Sequence, residues 1–212
     1  MHIPDGLLNV ATVATTYVVS AGGVGGAVRI VNKKLGEKQV PLMGILAAFI
    51  FAAQMLNFPI AGGTSGHFLG AALAAILLGP WAAVLIMSCV LIAQCLIFQD
   101  GGLLALGANI FNMGLVASFS AYYIYRLFTW LMGSTRKGTL AGGFAAAWAS
   151  VFLASVFCAV ELAVSGTSPF GVVVPAMAGV HALIGIIEGL ITTAVLSLVL
   201  ATRADLLQLQ RI

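Results

Sequence analysis

The chain begins Met1-His2-Ile3-Pro4-Asp5-Gly6, and a histidine in second position is a chelating unit in its own right. It can offer a metal ion the α-amine of Met1, the peptide nitrogen of His2 and the imidazole Nδ1 of His2. Amine and peptide nitrogen close a five-membered ring with the ion, and peptide nitrogen and imidazole close a six-membered one. Residue 2 must then carry a peptide N–H that can be lost to the metal, which excludes proline there. Histidine is also too large for the usual removal of an initiator methionine, so Met1 is expected to stay. Pro4 and the turn-prone Asp5-Gly6 stiffen the exit from such a chelate. A second histidine stands in Gly62-Gly63-Thr64-Ser65-Gly66-His67, where glycines allow close backbone approach. Its ring would complete a planar set of nitrogens, which suits Ni(II) and Cu(II) better than zinc with its tetrahedral preference. The plainer reading of His67 is a residue near a helix start tied to a backbone carbonyl. Asn57, Thr64 and Ser65 are candidates to orient the ring, because ligating histidines usually give their other N–H to an acceptor.

These residues have to be held by a very apolar chain. Of 212 residues, 61% are hydrophobic and 7% charged, against about 25% charged in an ordinary soluble domain, which points to a bilayer. Apolar runs at 9–31, 40–57, 103–130, 138–165 and 175–201 are each near or above the length that spans hydrocarbon. No secretory signal pattern precedes Asn9. The stretch 58–102 reads as one kinked helix or as two crossings broken at Gly79-Pro80, and basic residues near span ends decide between them. With two crossings, Arg29, Lys33, Lys34, Lys38, Arg126, Arg136, Lys137, Arg203 and Arg211 all fall on one side. The expectation is therefore a single all-α integral membrane domain over 1–212 with seven transmembrane helices, its N-terminus outside and inserted toward the bundle, its C-terminus cytoplasmic. Residues 68–79 form too short a helix to cross, about 18 Å against about 30 Å. The glycine-rich 58–67 segment must then enter the bundle as irregular backbone, which survives at membrane depth only where protein or water satisfies its peptide groups.

Three stretches resemble the CbiM/NikM family, the substrate-binding S components of energy-coupling factor transporters for nickel and cobalt: MHIPDGLL at the start, NFPIAGGTSGHFLGAALAAILLGPWAA from Asn57 to Ala83, and QDGGLLALGANIFNMG from Gln99 to Gly114. The resemblance implies an ATP-driven importer in a prokaryotic cytoplasmic membrane. Its metal site would fall on Met1, His2 and His67, with Ni(II) or Co(II) as transported substrate and no organic cofactor. It also implies a transmembrane T component, two cytoplasmic ATPase subunits and a small accessory membrane subunit as partners. S components dock through small-residue helix faces, and Gly22, Gly23 and Gly26 of the first span offer one.

The chain lacks the GxxxxGK[ST] phosphate loop, so ATP hydrolysis would belong to partners. A standalone ion-coupled carrier using Glu161 and Glu188 as relays is the rival transport reading. An intramembrane metallohydrolase is disfavoured by the missing HExxH. A net charge of +3, scattered along the chain, gives no nucleic-acid surface. Cys89, Cys95 and Cys158 lie in apolar runs without CxxC spacing and read as buried thiols. Asp100 is placed to cap a helix starting near Leu103, and Glu161, His181 and Glu188 read as interhelical contacts, although ionisable groups within spans are functional candidates by default.

Overall fold

A computed structural model describes residues 1–36 and 39–211. The chain is mainly helical: α1 (Val10–Lys34), α2 (Val40–Gln54), α3 (Ala71–Leu78), α4 (Pro80–Phe98), α5 (Leu106–Asn109) running through a π-helical stretch Ile110–Val116 into α6 (Ala117–Leu131), α7 (Arg136–Val164), α8 (Phe170–Thr202) and a terminal 3-10 stretch, Ala204–Arg211. The all-α expectation needs one small amendment. Phe58–Pro59 and Ser65–Gly66 pair as an antiparallel hairpin of two residues a side, closed by Ile60 N–H donating to Thr64 O.

The helix boundaries follow from local chemistry. The Asn9 side chain accepts from Thr12 N–H at 2.8 Å to start α1, and the Thr135 hydroxyl accepts from Gly138 N–H at 3.1 Å to start α7. Lys33 and Lys34 sit in the last turn of α1, where the dipole favours cations. Gly79 separates α3 from α4 with φ +85°, a conformation that costs an L-residue dearly, and Pro80 opens α4 at a position that tolerates its missing N–H.

Among the described residues α1, α4, α7 and α8 are long and apolar enough to cross a membrane, with α2 a shorter apolar helix. In its most apolar window α4 is 56% buried and α1 only 17%, so α4 is central and α1 peripheral. All eight residues of α3 are buried, surrounded by α2, α4, α6 and α7. The π-helical turn carries Asn112, whose Nδ2–H donates to Glu161 Oε2 at 2.6 Å. At one end of the bundle Lys34 shares a cavity wall with Gly79, Pro80 and Tyr122, and Arg126 lines another with Ser134 and Ala204. The opposite end gathers the entry to α1, the 55–57 and 99–102 turns and the α7–α8 turn, where Asn9 donates to Val164 O. The cations thus collect away from the N-terminus. Lys38, and the side chain of Arg211, lie outside the described residues.

The segment leading into α3 is irregular backbone, and side chains satisfy it. Leu69 O accepts from Gln54 Nε2–H at 2.7 Å, while Leu69 N–H and Gly70 N–H donate to the two oxygens of Glu188 at 2.6 and 2.7 Å. Glu188 is 3% exposed and its carboxyl caps the N-terminus of a buried helix. Replacing Glu188 with alanine leaves two buried N–H donors unpaired, a loss of about 2–4 kcal/mol. Glu188→Ala is therefore expected to lower the thermal unfolding midpoint of the purified protein sharply, and Glu188→Gln, which keeps an acceptor, to lower it less.

A candidate metal centre at the buried N-terminus

The first three residues thread into the bundle. Met1 and Ile3 are fully buried and His2 is 4% exposed. A strand end so placed must find partners for its backbone, and each comes from a distant part of the chain. The Met1 amine donates to the carbonyl oxygen of Ser65 and to its Oγ at 2.9 Å. His2 N–H reaches the same Oγ at 3.1 Å. Ile3 is gripped at both polar atoms by one amide: its N–H donates to Asn109 Oδ1 at 2.8 Å and its carbonyl accepts from Asn109 Nδ2 at 3.1 Å. Gly102 N–H adds a bond to Ile3 O at 2.9 Å. A side chain at Gly102 would collide with Asp5, so glycine is required for this approach. Asp5 in turn accepts from Leu103, Leu104 and Ala105 N–H, and so caps the start of the 103–131 span. Sequence reasoning gave that task to Asp100.

His67 lies beside His2. The two rings stack with centroids 4.5 Å apart and planes 24° from parallel, and His67 is 1% exposed. Hydrogen bonding sets both tautomers. His2 Nε2 lies 3.0 Å from Gln94 Oε1, and His67 Nδ1 lies 2.6 Å from Phe68 O. A carbonyl oxygen only accepts, so each of these nitrogens carries the proton and the other ring nitrogen keeps its lone pair. His2 Nδ1 and His67 Nε2 are accordingly buried and, among the described residues, without hydrogen-bond partners. Orphaned lone pairs of this kind are costly in a native interior, and these two belong to the atoms that the chelate requires.

The electrostatics favour neutral donors. Burial, opposed by Cys158 and Asp100, brings the Met1 amine down to about 5. Burial and the neighbouring amine bring the His2 imidazole down to about 3. His2 is then uncharged near neutrality, and its Nδ1 presents a lone pair, not a cation, to Asp100 Oδ1 at 3.4 Å. Burial raises Asp100 above the usual carboxylate range, opposed by the amine and by Asn57. A lone pair facing a carboxylate is a place for a positive ion. Among the described residues no three His, Cys, Asp or Glu side chains gather to hold a metal, so main-chain nitrogens would have to complete any site here.

The remaining candidates divide. Ser65 holds the amine and the His2 peptide. Asn57 donates to Asp100 Oδ2 at 2.8 Å. Thr64 meets Cys158 Sγ and Met177 Sδ, while the His67 ring is oriented by Phe68 O. On α1, Gly22 faces open space, Gly23 closes on Leu115 and Gly26 lies against Trp81. Asn109, Gln94 and Asp100 escaped sequence reasoning in these roles. The available signal was a polar residue within an apolar run, which Gln94 and Asn109 both are.

A family model described as CbiM, cobalt uptake substrate-specific transmembrane region, matches residues 2–206. The fused nickel transport protein NikMN of Rhodobacter capsulatus is 36% identical over 227 residues, covering 100% of this chain and 65% of that protein. The cobalt transport protein CbiM 1 of Pelobacter propionicus is 36% identical over 209 residues, covering 94% of this chain and 91% of that protein. A solved structure titled as a truncated transition metal transporter superposes with TM-score 0.87 and 38% identity, covering 95% of this chain and 99% of that one.

Acidification tests the burial of the N-terminus. An untucked amine and imidazole take up protons near 8.0 and 6.5, the tucked ones only near 5 and 3. The untucked form therefore binds more protons as pH falls, and from pH 8 to pH 5 the tucked form loses about 1.4 kcal/mol per pH unit through the amine alone. In the metal-free protein, hydrogen-exchange protection of the Ile3 amide, corrected for intrinsic rate, should fall steadily over that range. Asn109→Ala should show low protection already at pH 8.

Proposed function

The chain belongs to the CbiM family of cobalt uptake substrate-specific transmembrane regions, and on that footing we propose that it captures a divalent transition-metal ion and delivers it as the substrate-binding subunit of an ATP-driven energy-coupling factor importer. It is a multi-pass membrane protein of a nickel and cobalt transport family, and its substrate is one of those ions. The ligands are the Met1 amine, the His2 peptide nitrogen, His2 Nδ1 and His67 Nε2. The observation that carries this assignment is the pair of buried, unpartnered lone pairs on His2 and His67 beside a buried amine.

Charge supports the same set. A divalent ion that displaces the His2 peptide proton leaves one net positive charge, and Asp100 beside His2 Nδ1 can neutralise it. Without such compensation a buried ion would be expelled. Ser65 Oγ, which accepts from both the amine and the His2 N–H, marks the side on which these nitrogens converge. A planar nitrogen set favours nickel over cobalt, because a low-spin d⁸ ion gains most from strong in-plane donors.

The proposed topology is seven crossings within one domain, 1–212, with the metal site at the outer face of a prokaryotic cytoplasmic membrane and the cationic end in the cytoplasm. Crossing three is the hairpin segment followed by α3, with Gln54 and Glu188 satisfying its peptides. Transport against a gradient would be driven by a transmembrane T component and two cytoplasmic ATPases, with a small accessory membrane subunit. We place the T-component docking face on the peripheral α1, where Gly22 is open. The standalone-carrier alternative is less well supported, since Glu161 and Glu188 are engaged with Asn112, Leu69 and Gly70.

The test is the chemistry of the first nitrogen. With any purification tag at the C-terminus, native protein should bind one Ni(II) tightly. Placing a single glycine ahead of Met1 turns the amine into a peptide nitrogen and moves histidine to third position. Acetylation of the amine is expected to abolish tight binding, and the extension, whose third-position histidine closes a four-nitrogen set of its own, to remove the dependence of binding on His67, as measured by metal content and thermal shift. Full occupancy in the acetylated protein would refute the amine as a ligand.

A further inference from the structure

The stripe Met177, His181, Ile184 and Glu188 repeats at helical spacing on one face of α8, and that face lies along the segment that carries His67. Met177 Sδ accepts from Thr64 N–H at 3.5 Å. A Cβ on Gly66 would stand 3.1 Å from Ile184 Cδ1, and Glu188 holds the peptides of Leu69 and Gly70. His181 lies between Met177 and Ile184 on this stripe, which puts it level with the stretch between Thr64 and Gly66. It is close enough to interact electrostatically with the Met1 amine and with His67.

His181 is fully buried. Its Nδ1 lies 2.8 Å from Met177 O, an acceptor, so Nδ1 carries the proton and Nε2 keeps a lone pair. That Nε2 has no hydrogen-bond partner among the described residues. His67 presents the same arrangement: Nδ1 donates to a main-chain carbonyl, and a buried Nε2 has no hydrogen-bond partner. An interhelical packing histidine has no need of an orphaned buried nitrogen, and such atoms in native interiors call for an explanation.

We propose that His67 Nε2 and His181 Nε2 form a second, transient metal position of two imidazoles, which holds the ion after the N-terminal chelate lets go. This rests on the capture reading above. In the capture state the ion sits on the amine, the His2 peptide nitrogen, His2 Nδ1 and His67 Nε2. Leaving requires the first three to be released, with the amide nitrogen regaining its proton from water, and His67 alone is then a poor holder. His181 supplies the next nitrogen on the α8 side without any further charge. Two neutral imidazoles bind far more weakly than a four-nitrogen chelate, as a position that must pass its ion onward requires.

The experiment removes the chelate and asks what remains. Co(II) alone is titrated into native protein, His2→Ala, His2→Ala/His181→Ala and His2→Ala/His181→Gln, all as full chains, with unfolding midpoints recorded. His2→Ala should retain one weak Co(II), and both double variants should weaken it by about tenfold or more. Proton NMR of the Co(II)-loaded His2→Ala protein should show two exchangeable, paramagnetically shifted imidazole N–H signals, one from Nδ1 of each ligand. Each double variant should retain at most one. The glutamine variant guards against misfolding, because its amide can still donate to Met177 O. No residual Co(II) in His2→Ala, or equal affinity and two signals in the glutamine double variant, would overturn the transit pair. Failure of the native protein to bind one Ni(II) per chain, titrated in parallel, would instead bring down the capture reading.

Discussion

The structure turns on the burial of a chain terminus. A charged α-amine in an apolar bundle is expensive, and the fold lowers the expense by making the amine neutral and surrounding it with acceptors. Ser65 meets it from the 58–66 hairpin, Asn109 holds Ile3 from the π-bulged span, and Gly102 closes over Asp5. Each of these partners constrains an element of its own. The hairpin exists at this depth because its continuation into α3 is tied to Gln54 and Glu188. The 103–131 span begins where it does because Asp5, from the terminal segment, caps it.

Much of this was legible in the sequence where the signal was local. Gly79-Pro80 breaks the apolar stretch as it must, because only glycine takes φ +85° freely and proline is welcome at the next position. Counting residues against bilayer thickness made 68–79 a helix too short to cross, and α3 is shorter still, Ala71–Leu78, because residues 68–70 stay irregular and their peptides are held by Gln54 and Glu188. His2 and His67 were brought together by charge-derived topology, and they stack. What escaped was set by distance along the chain. Asp5 and Asp100 both stand near Leu103 in space, and only the fold shows that Asp5 does the capping while Asp100 turns to His2 and Asn57. The grip of Asn109 on Ile3 spans more than a hundred residues, and no spacing rule reaches that far. His181 read as an ordinary contact because its orphaned nitrogen is a property of its surroundings.

The proposed chelate makes physical sense as a place for capture. Its nitrogens are held neutral by burial, so no proton on the amine or on either ring competes with an incoming ion near neutral pH. Only the peptide nitrogen must still give one up. Asp100, held by Asn57, would supply the compensating charge at the rim, where it keeps some exposure. The fixed tautomers leave His2 Nδ1 and His67 Nε2 as the free nitrogens of the two stacked rings.

X-ray absorption at the nickel edge of the loaded native protein addresses the central claim most directly. A four-coordinate, planar, all-nitrogen set of ligands and a diamagnetic ion are expected. A six-coordinate shell containing oxygen, with paramagnetic nickel, would contradict that claim, because two imidazoles completed by water would then suffice and the buried amine would have no part in holding the metal.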